Sequence, residues 1–155
     1  MFNWKWKLKE FPKPSSLKVF SLFASLGGSS MGYKLAGFDV VGGLDVSNKF
    51  VKLYRLNLKP KYAFCTDIRD FNQSNDLPQE LFNLDVLDAS PPCTTFSLSG
   101  KREKSWGVER KFREGGKMQL LDDLILHAVK TVEKLKPKAV VIENVPGLVM
   151  GKAKI

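Results

Sequence analysis

The chain has 155 residues, of which 43% are hydrophobic and 26% charged, a composition that excludes intrinsic disorder and a length that fits one domain with one core. No apolar run reaches the roughly 18 to 20 residues of a membrane span, and the amino terminus lacks the apolar stretch of a signal peptide, so we expect a cytoplasmic protein without a membrane partner. The net charge of +9 favours a polyanionic partner, nucleic acid first, and two cysteines are too few for a disulfide scaffold.

Residues 1–16 differ in composition from the rest of the chain. Tryptophans alternate with lysines there, and prolines precede the first apolar segment. We predict a basic, aromatic arm, which either lies as a strand on the surface of the domain or contacts nucleic acid. The remaining residues, 17–155, are predicted to form the folded domain.

From residue 17 onward, short apolar segments alternate with helical ones, which is typical of βαβ units. The predicted strands are residues 17–23, 39–46, 62–65, 84–89 and 139–143. The predicted helices are residues 29–35, 48–57 and 118–136, the last with an apolar stripe at spacings of three and four. The pattern therefore predicts an α/β fold whose mostly parallel sheet carries helices on both faces.

Residues 98–117 fit no predicted element. They contain four glycines and more basic than acidic residues. A loop of about 20 residues in a compact domain is usually functional or disordered. Its basic residues suit either a solvated surface or a phosphate contact.

Nucleoside binding is indicated by three features at the predicted strand ends. A glycine-bearing turn with Gly27 and Gly28 follows the first strand, and glycines there let backbone N–H groups approach a ligand closely. Asp45 ends the second strand, where a carboxylate can accept both hydroxyls of a ribose. Asp67 follows the third strand and can either receive the exocyclic amine of adenine or cap a helix.

The fourth predicted strand leads to Cys93, which directly follows two prolines that fix the backbone. We interpret Cys93 as a nucleophile and Cys65, at the end of an apolar strand, as a structural thiol. Glu143 emerges from the fifth apolar strand, where desolvation would raise its pKa or require a fixed partner, and either suits a proton donor. His127 lies beside the apolar stripe and is interpreted as a partly buried histidine with its hydrogen bonds satisfied.

Four stretches in this order resemble the cytosine-5 DNA methyltransferase family. Residues 21–28 resemble its methyl-donor loop, and Asp45 and Asp67-Ile68 resemble its ribose and adenine contacts. Residues 90–97 resemble its nucleophile motif, and Glu143-Asn144-Val145 resembles the motif that holds the target base. The resemblance extends over residues 17–148 and implies a Rossmann-like, S-adenosylmethionine-dependent methyltransferase fold.

The resemblance also implies a reaction and a set of site residues. The reaction would transfer methyl from S-adenosylmethionine to C5 of a flipped cytosine in double-stranded DNA, as in restriction-modification, with no metal ion. The implied catalytic residues are Cys93, Glu143 and Asn144. The implied donor contacts are Phe23, Leu26, Gly27, Gly28, Asp45, Val46, Asp67, Ile68 and Pro92. The implied DNA contacts are Lys101, Arg102, Arg110, Lys111 and Arg113 in the basic loop.

The sequence departs from the family pattern in two respects. Ser25 stands where the family has the leading glycine of the donor loop, and we expect its Cβ to crowd the methionine part of the donor. The sequence ends at Ile155, whereas the family continues with an arginine-bearing motif, a target-recognition domain and a final helix. We therefore expect a catalytic domain that is incomplete at its carboxyl end, split or truncated, with a complementary polypeptide as partner. Three alternatives stay open: an RNA cytosine-5 methyltransferase, a non-catalytic remnant that binds S-adenosylmethionine or DNA, and a small-molecule methyltransferase with the same sheet. The last is disfavoured by Pro92-Cys93 and the basic loop, which such a reaction does not need.

Overall fold

The computed structural model describes residues 11–92, 110–111, 118–119 and 123–145, with the backbone alone for 110–111 and 118–119. Cys93 and three of the predicted DNA contacts, Lys101, Arg102 and Arg113, lie outside the described residues. Most of the predicted amino-terminal arm does so too.

Five parallel strands form the central sheet: β1 Lys18–Leu22, β2 Asp39–Asp45, β3 Tyr62–Cys65, β4 Val86–Ala89 and β7 Ala139–Ile142. Their order in the sheet is β3-β2-β1-β4-β7. A separate antiparallel pair joins β5, Arg110–Lys111, to β6, Met118–Gln119. The helices are α1 Gly28–Leu35, α2 Asn48–Leu58, α3 Ile68–Gln73 and α4 Leu124–Leu135, with a 3₁₀ turn at Gln79–Phe82.

Helices cover the two faces of the sheet because successive strand residues point to opposite sides. Phe20 and Leu22 of β1 point into the main core, where they pack with residues of α3 and α4. Ser21, between them, points to the other face and meets Ser30 of α1. The α/β prediction with a mostly parallel sheet and helices on both faces is therefore confirmed.

The long predicted helix is wrong at its beginning. Residues 118–119 form strand β6, and α4 begins only at Leu124. Residues 118–119 pair with β5 instead of continuing the helix. The strand pairing satisfies backbone hydrogen-bonding groups that a further helical turn would otherwise satisfy. The apolar stripe itself is confirmed from Leu124 to Leu135, and both of these side chains are buried.

Sequence reasoning missed α3, whose six residues are too few to display a helical period. Within the described ranges no helix has the length and apolar character needed to cross a bilayer.

Candidate active site

A cleft opens at the carboxyl edge of the sheet, where β2 and β3 lie to one side of β1 and β4 to the other. Open α/β sheets bind ligands at such a reversal of strand order. The cleft encloses about 550 Å³, including solvent space at its mouth. Its lining consists of Phe23, Leu44, Asp45, Val46, Thr66, Asp67, Ile68, Ser90, Pro92 and Leu124.

Most residues predicted as donor contacts line this cleft, but three do not. Leu26, Gly27 and Gly28 are absent from the lining and form the turn that leads into α1. Leu44, Thr66 and Ser90 line it as direct or near neighbours of predicted residues. Leu124 reaches it from α4, a tertiary approach for which the local sequence holds no indication.

The turn between β1 and α1 has an unusual backbone. Gly27 adopts φ 89°, and a Cβ there would lie 2.6 Å from Leu58 Cδ1, so this position requires glycine. Phe23 and Ser25 also have positive φ, at 54° and 49°. The family has glycine at the position of Ser25, and the positive φ gives a reason, because a residue with a Cβ is strained in this conformation.

Asp45 ties this turn to the start of α2. Its side chain is 6% exposed, and its Oδ2 accepts a hydrogen bond from the Ser25 N–H at 2.9 Å. Its Oδ1 accepts from the Ser47 N–H, also at 2.9 Å. Asp45 also lines the cleft, so one carboxylate connects the turn, the start of α2 and the cleft.

Asp67 has two structural partners in addition to its place in the cleft lining. Its side chain caps α3 by accepting from the Arg69 N–H at 2.8 Å, so the alternative of a helix cap is confirmed. The Arg69 guanidinium pairs with Asp67 Oδ2 at 3.1 Å and with Asp123 Oδ1 at 2.7 Å. This arginine therefore links the floor of the cleft to the start of α4.

The segments that precede Cys93 and contain Glu143 lie side by side. β4 pairs with β7, and beyond the strands the Glu143 N–H donates to the Ala89 carbonyl at 2.9 Å. The Asn144 side-chain amide donates to the Pro91 carbonyl at 3.5 Å. The expected burial of Glu143 is wrong: its side chain is exposed, because β7 is an edge strand whose residues are all exposed.

Two further interpretations need correction. Cys65, expected to be a structural thiol in an apolar strand, is exposed, and its thiol contacts the Val46 carbonyl at 3.9 Å. His127 is only half satisfied: Nε2 lies 3.5 Å from Asp123 Oδ2, whereas buried Nδ1 has no partner among the described residues. Burial lowers the pKa of His127, which favours its neutral form.

Asp88 is a buried carboxylate that sequence reasoning missed, because it lies within an apolar strand. It is 4% exposed, and the Ser29 hydroxyl donates to its Oδ2 at 2.7 Å. Burial raises the pKa of Asp88. The bond joins the first turn of α1 to the strand that leads toward Cys93.

Neighbouring hydroxyls extend this polar region toward α2. Ser30 shares hydrogen bonds with Ser21 at 2.8 Å and with the Tyr54 hydroxyl at 3.0 Å. Burial raises the pKa of Tyr54 to about 12, so its hydroxyl stays protonated. The described residues contain no cluster of three or more side chains suited to a metal ion.

Comparisons with known proteins agree with this geometry. The type II methyltransferase M.XorII of Xanthomonas oryzae pv. oryzae is 32% identical over 140 residues, which is 84% of this chain and 28% of that protein. The chain spans about a third of the length of that protein and of two further curated relatives. It covers 90% of another, the type II methyltransferase M.HgiGI of Herpetosiphon aurantiacus, which is 28% identical over 130 residues.

Solved structures that resemble this chain are also methyltransferases. A chain described as a DNA modification methyltransferase encoded within an E. coli prophage has TM-score 0.60 and 26% identity, covering 88% of this chain and 34% of that one. The S-adenosylmethionine-dependent methyltransferase from Agrobacterium tumefaciens has TM-score 0.51 and 25% identity, covering 85% and 39%. The fold is the Rossmann-like fold of these methyltransferases. The match of residues 17–154 to the model of the C-5 cytosine-specific DNA methylases identifies the chain as a member of that family.

Proposed function

We propose that this chain is the catalytic portion of a DNA (cytosine-5) methyltransferase of a type II restriction-modification system. The observation that carries the proposal is the meeting of two segments at one sheet edge. The donor cleft includes Pro92, next to Cys93, and the Asn144 amide reaches the Pro91 carbonyl in the same segment. Because the proposed substrate is cellular DNA, we also propose that the enzyme is cytoplasmic.

The cleft fits S-adenosylmethionine as the methyl donor. Asp45 and Asp67 line it and would supply acceptors for ribose and adenine, at the position where open α/β sheets bind ligands. Phe23, Val46, Ile68 and Pro92 would hold the apolar parts, while Leu26, Gly27 and Gly28 shape the adjoining turn. When bound, the donor supplies an electrophilic methyl group.

The chain's own residues would prepare the cytosine for methyl transfer. We assign Cys93 as the thiolate that bonds to C6 of the flipped base, while Glu143 donates a proton or hydrogen bond at N3. Electron density then accumulates at C5, which takes the methyl group. Loss of the C5 proton to solvent, release of the thiolate from C6 and return of the N3 proton to Glu143 restore the aromatic ring and the enzyme. Asn144 positions the Cys93 segment through the Pro91 carbonyl.

The basic loop would contact DNA phosphates near the target base. Arg110 and Lys111 lie in β5, which pairs with β6. Lys101, Arg102 and Arg113 complete the proposed contacts. In the division proposed here, residues 1–16 form the arm and residues 17–155 form the catalytic domain.

A complementary polypeptide segment with the target-recognition domain is proposed to cover strand β7. Val140, Val141 and Ile142 are 39%, 46% and 40% exposed, although parallel sheets normally have both faces covered. The outer edge of β7 also has no strand partner among the described residues, which leaves backbone groups open for pairing.

Transfer of labelled methyl from S-adenosylmethionine tests the proposed function. The chain, alone and with the remainder of a relative supplied as a second polypeptide, is given duplex DNA and tRNA in separate reactions. We expect label at C5 of cytosine in DNA. Label in tRNA alone would establish the RNA alternative, and donor binding without transfer in any combination would favour the remnant.

A further inference from the structure

One surface of α2 carries basic side chains that the proposed reaction does not use. Lys49, Lys52 and Lys59, which we call the lysine ridge, are all exposed. Lys49 and Lys52 lie in α2, and Lys59 is its carboxyl cap. No acidic residue occurs between Asp45 and Asp67, so the sequence places no counter-charge within this stretch.

Three lysines elsewhere in the described part of the chain have acidic partners, unlike those of the lysine ridge. Lys18 and Lys61 both pair with Glu80. Lys138 pairs with Asp85 at 2.8 Å. The ridge lysines have no ion pair with any described residue. Lys49 and Lys52 are three residues apart, and like charges at that spacing on a helix repel each other, so an anionic partner would stabilise this pair.

The position of α2 relates the lysine ridge to the cleft. Val46 lines the cleft, and α2 begins at Asn48, so Lys49 lies close to the cleft along the chain. From Lys49 to Lys59 the helix advances about 15 Å, at about 1.5 Å per residue. Duplex DNA carries about one phosphate charge per 1.7 Å of its axis, which offers several phosphates over that length.

We propose that the lysine ridge is a second DNA-contact surface, which binds the phosphate backbone of the duplex that flanks the target base. The inference rests on the proposed DNA substrate and adds a surface separate from the basic loop. Leu56 on the same helix is 67% exposed, and an exposed apolar side chain beside lysines also suits contact with an acidic protein. An acidic protein is therefore the competing partner.

The test compares two variants with the same loss of charge. The ridge variant is Lys49→Gln, Lys52→Gln and Lys59→Gln. The matched control is Lys130→Gln, Lys136→Gln and Lys138→Gln, which neutralises three other exposed lysines outside the amino-terminal arm. Binding of the chain to a fluorescent duplex of about three helical turns is measured by anisotropy across a salt series.

The account predicts that the ridge variant lowers the slope of log affinity against log salt by about 2.7, at about 0.9 per lost phosphate contact. The control variant should change the slope by less than about 0.9, the value for one phosphate contact. A ridge variant with arginine at the same three positions should keep the original slope. Equal slopes in ridge variant and control would overturn the ridge and leave the methyltransferase proposal standing.

Two other outcomes would also overturn it. If the unmodified chain binds no duplex, the ridge proposal falls, whereas methyl transfer still decides the proposed function. If the ridge variant loses binding to polyglutamate but keeps its salt slope on DNA, the surface serves an acidic protein.

Discussion

Replacing Asp45 with asparagine tests the link between the donor cleft and the turn that borders it. Asp45→Asn exchanges one carboxylate oxygen for an NH₂ group, which then faces a backbone N–H of either Ser25 or Ser47. One charge-assisted hydrogen bond is lost, and a hydrogen bond to a charged group contributes about 1.5 to 3 kcal/mol. We expect the free energy of unfolding to fall by about 2 kcal/mol, which lowers the melting temperature by roughly 4 to 8 °C in a domain of this size.

Donor affinity should fall together with stability. The same carboxylate holds Ser25 and is proposed to accept the ribose hydroxyls, so the variant loosens the turn and weakens the direct contact. A loss of about 1.5 to 3 kcal/mol corresponds to a dissociation constant raised roughly 10- to 150-fold. Isothermal titration with S-adenosylmethionine measures this change, and thermal unfolding monitored by circular dichroism measures stability.

Asp39→Asn is the matched control, because Asp39 begins the same strand at the edge away from the cleft. It should leave both quantities nearly unchanged. An Asp45→Asn chain with wild-type melting temperature and wild-type donor affinity would refute the reasoning.

The remaining predictions concern stability. Gly27→Ala should destabilise the fold by about 1 to 3 kcal/mol in urea unfolding, because the new Cβ meets Leu58 at a positive φ; an unchanged midpoint would contradict this. Hydrogen bonds from Lys61, then Lys18, lower the pKa of Glu80 to about 2, so its contribution to stability is present above pH 4.5 and is lost as pH falls toward 2. Glu80→Gln should remove that acid-side dependence. Burial raises the pKa of Asp88, so its ionisation should lower stability as pH rises above 3.8 through the raised value, and Asp88→Asn should flatten this slope; a slope that persists would assign it to another group.

The sheet and its functional edge could be predicted because they depend on local patterns. Apolar runs and the residues that end them located β1 to β4 and β7 within a residue or two. Asp45 and Asp67 were found because the carboxyl ends of parallel strands meet at one edge, whatever the details of packing. The positions of these residues in the cleft therefore follow from the strand pattern.

The sequence predictions are wrong where tertiary contacts determine the burial or the partners of a side chain. Glu143 follows an apolar strand, and apolarity alone does not reveal that β7 is an exposed edge. Cys65 ends a similar strand and is exposed for a related reason, since β3 forms the opposite edge. Asp88 lies within an apolar strand, and the Ser29 hydroxyl that bonds to it comes from α1, which is distant in sequence, so local patterns do not reveal its role.

Covalent capture of DNA by Cys93 tests the central claim most directly. Fluorine at C5 of the target cytosine cannot leave as the proton does, so an enzyme that attacks C6 and transfers methyl remains bonded to the base. The complete enzyme is incubated with 5-fluorocytosine DNA and S-adenosylmethionine, and denaturing electrophoresis detects the adduct. The account predicts an adduct with the unmodified chain and with Cys65→Ser, and none with Cys93→Ser. An adduct that persists in Cys93→Ser would contradict the account.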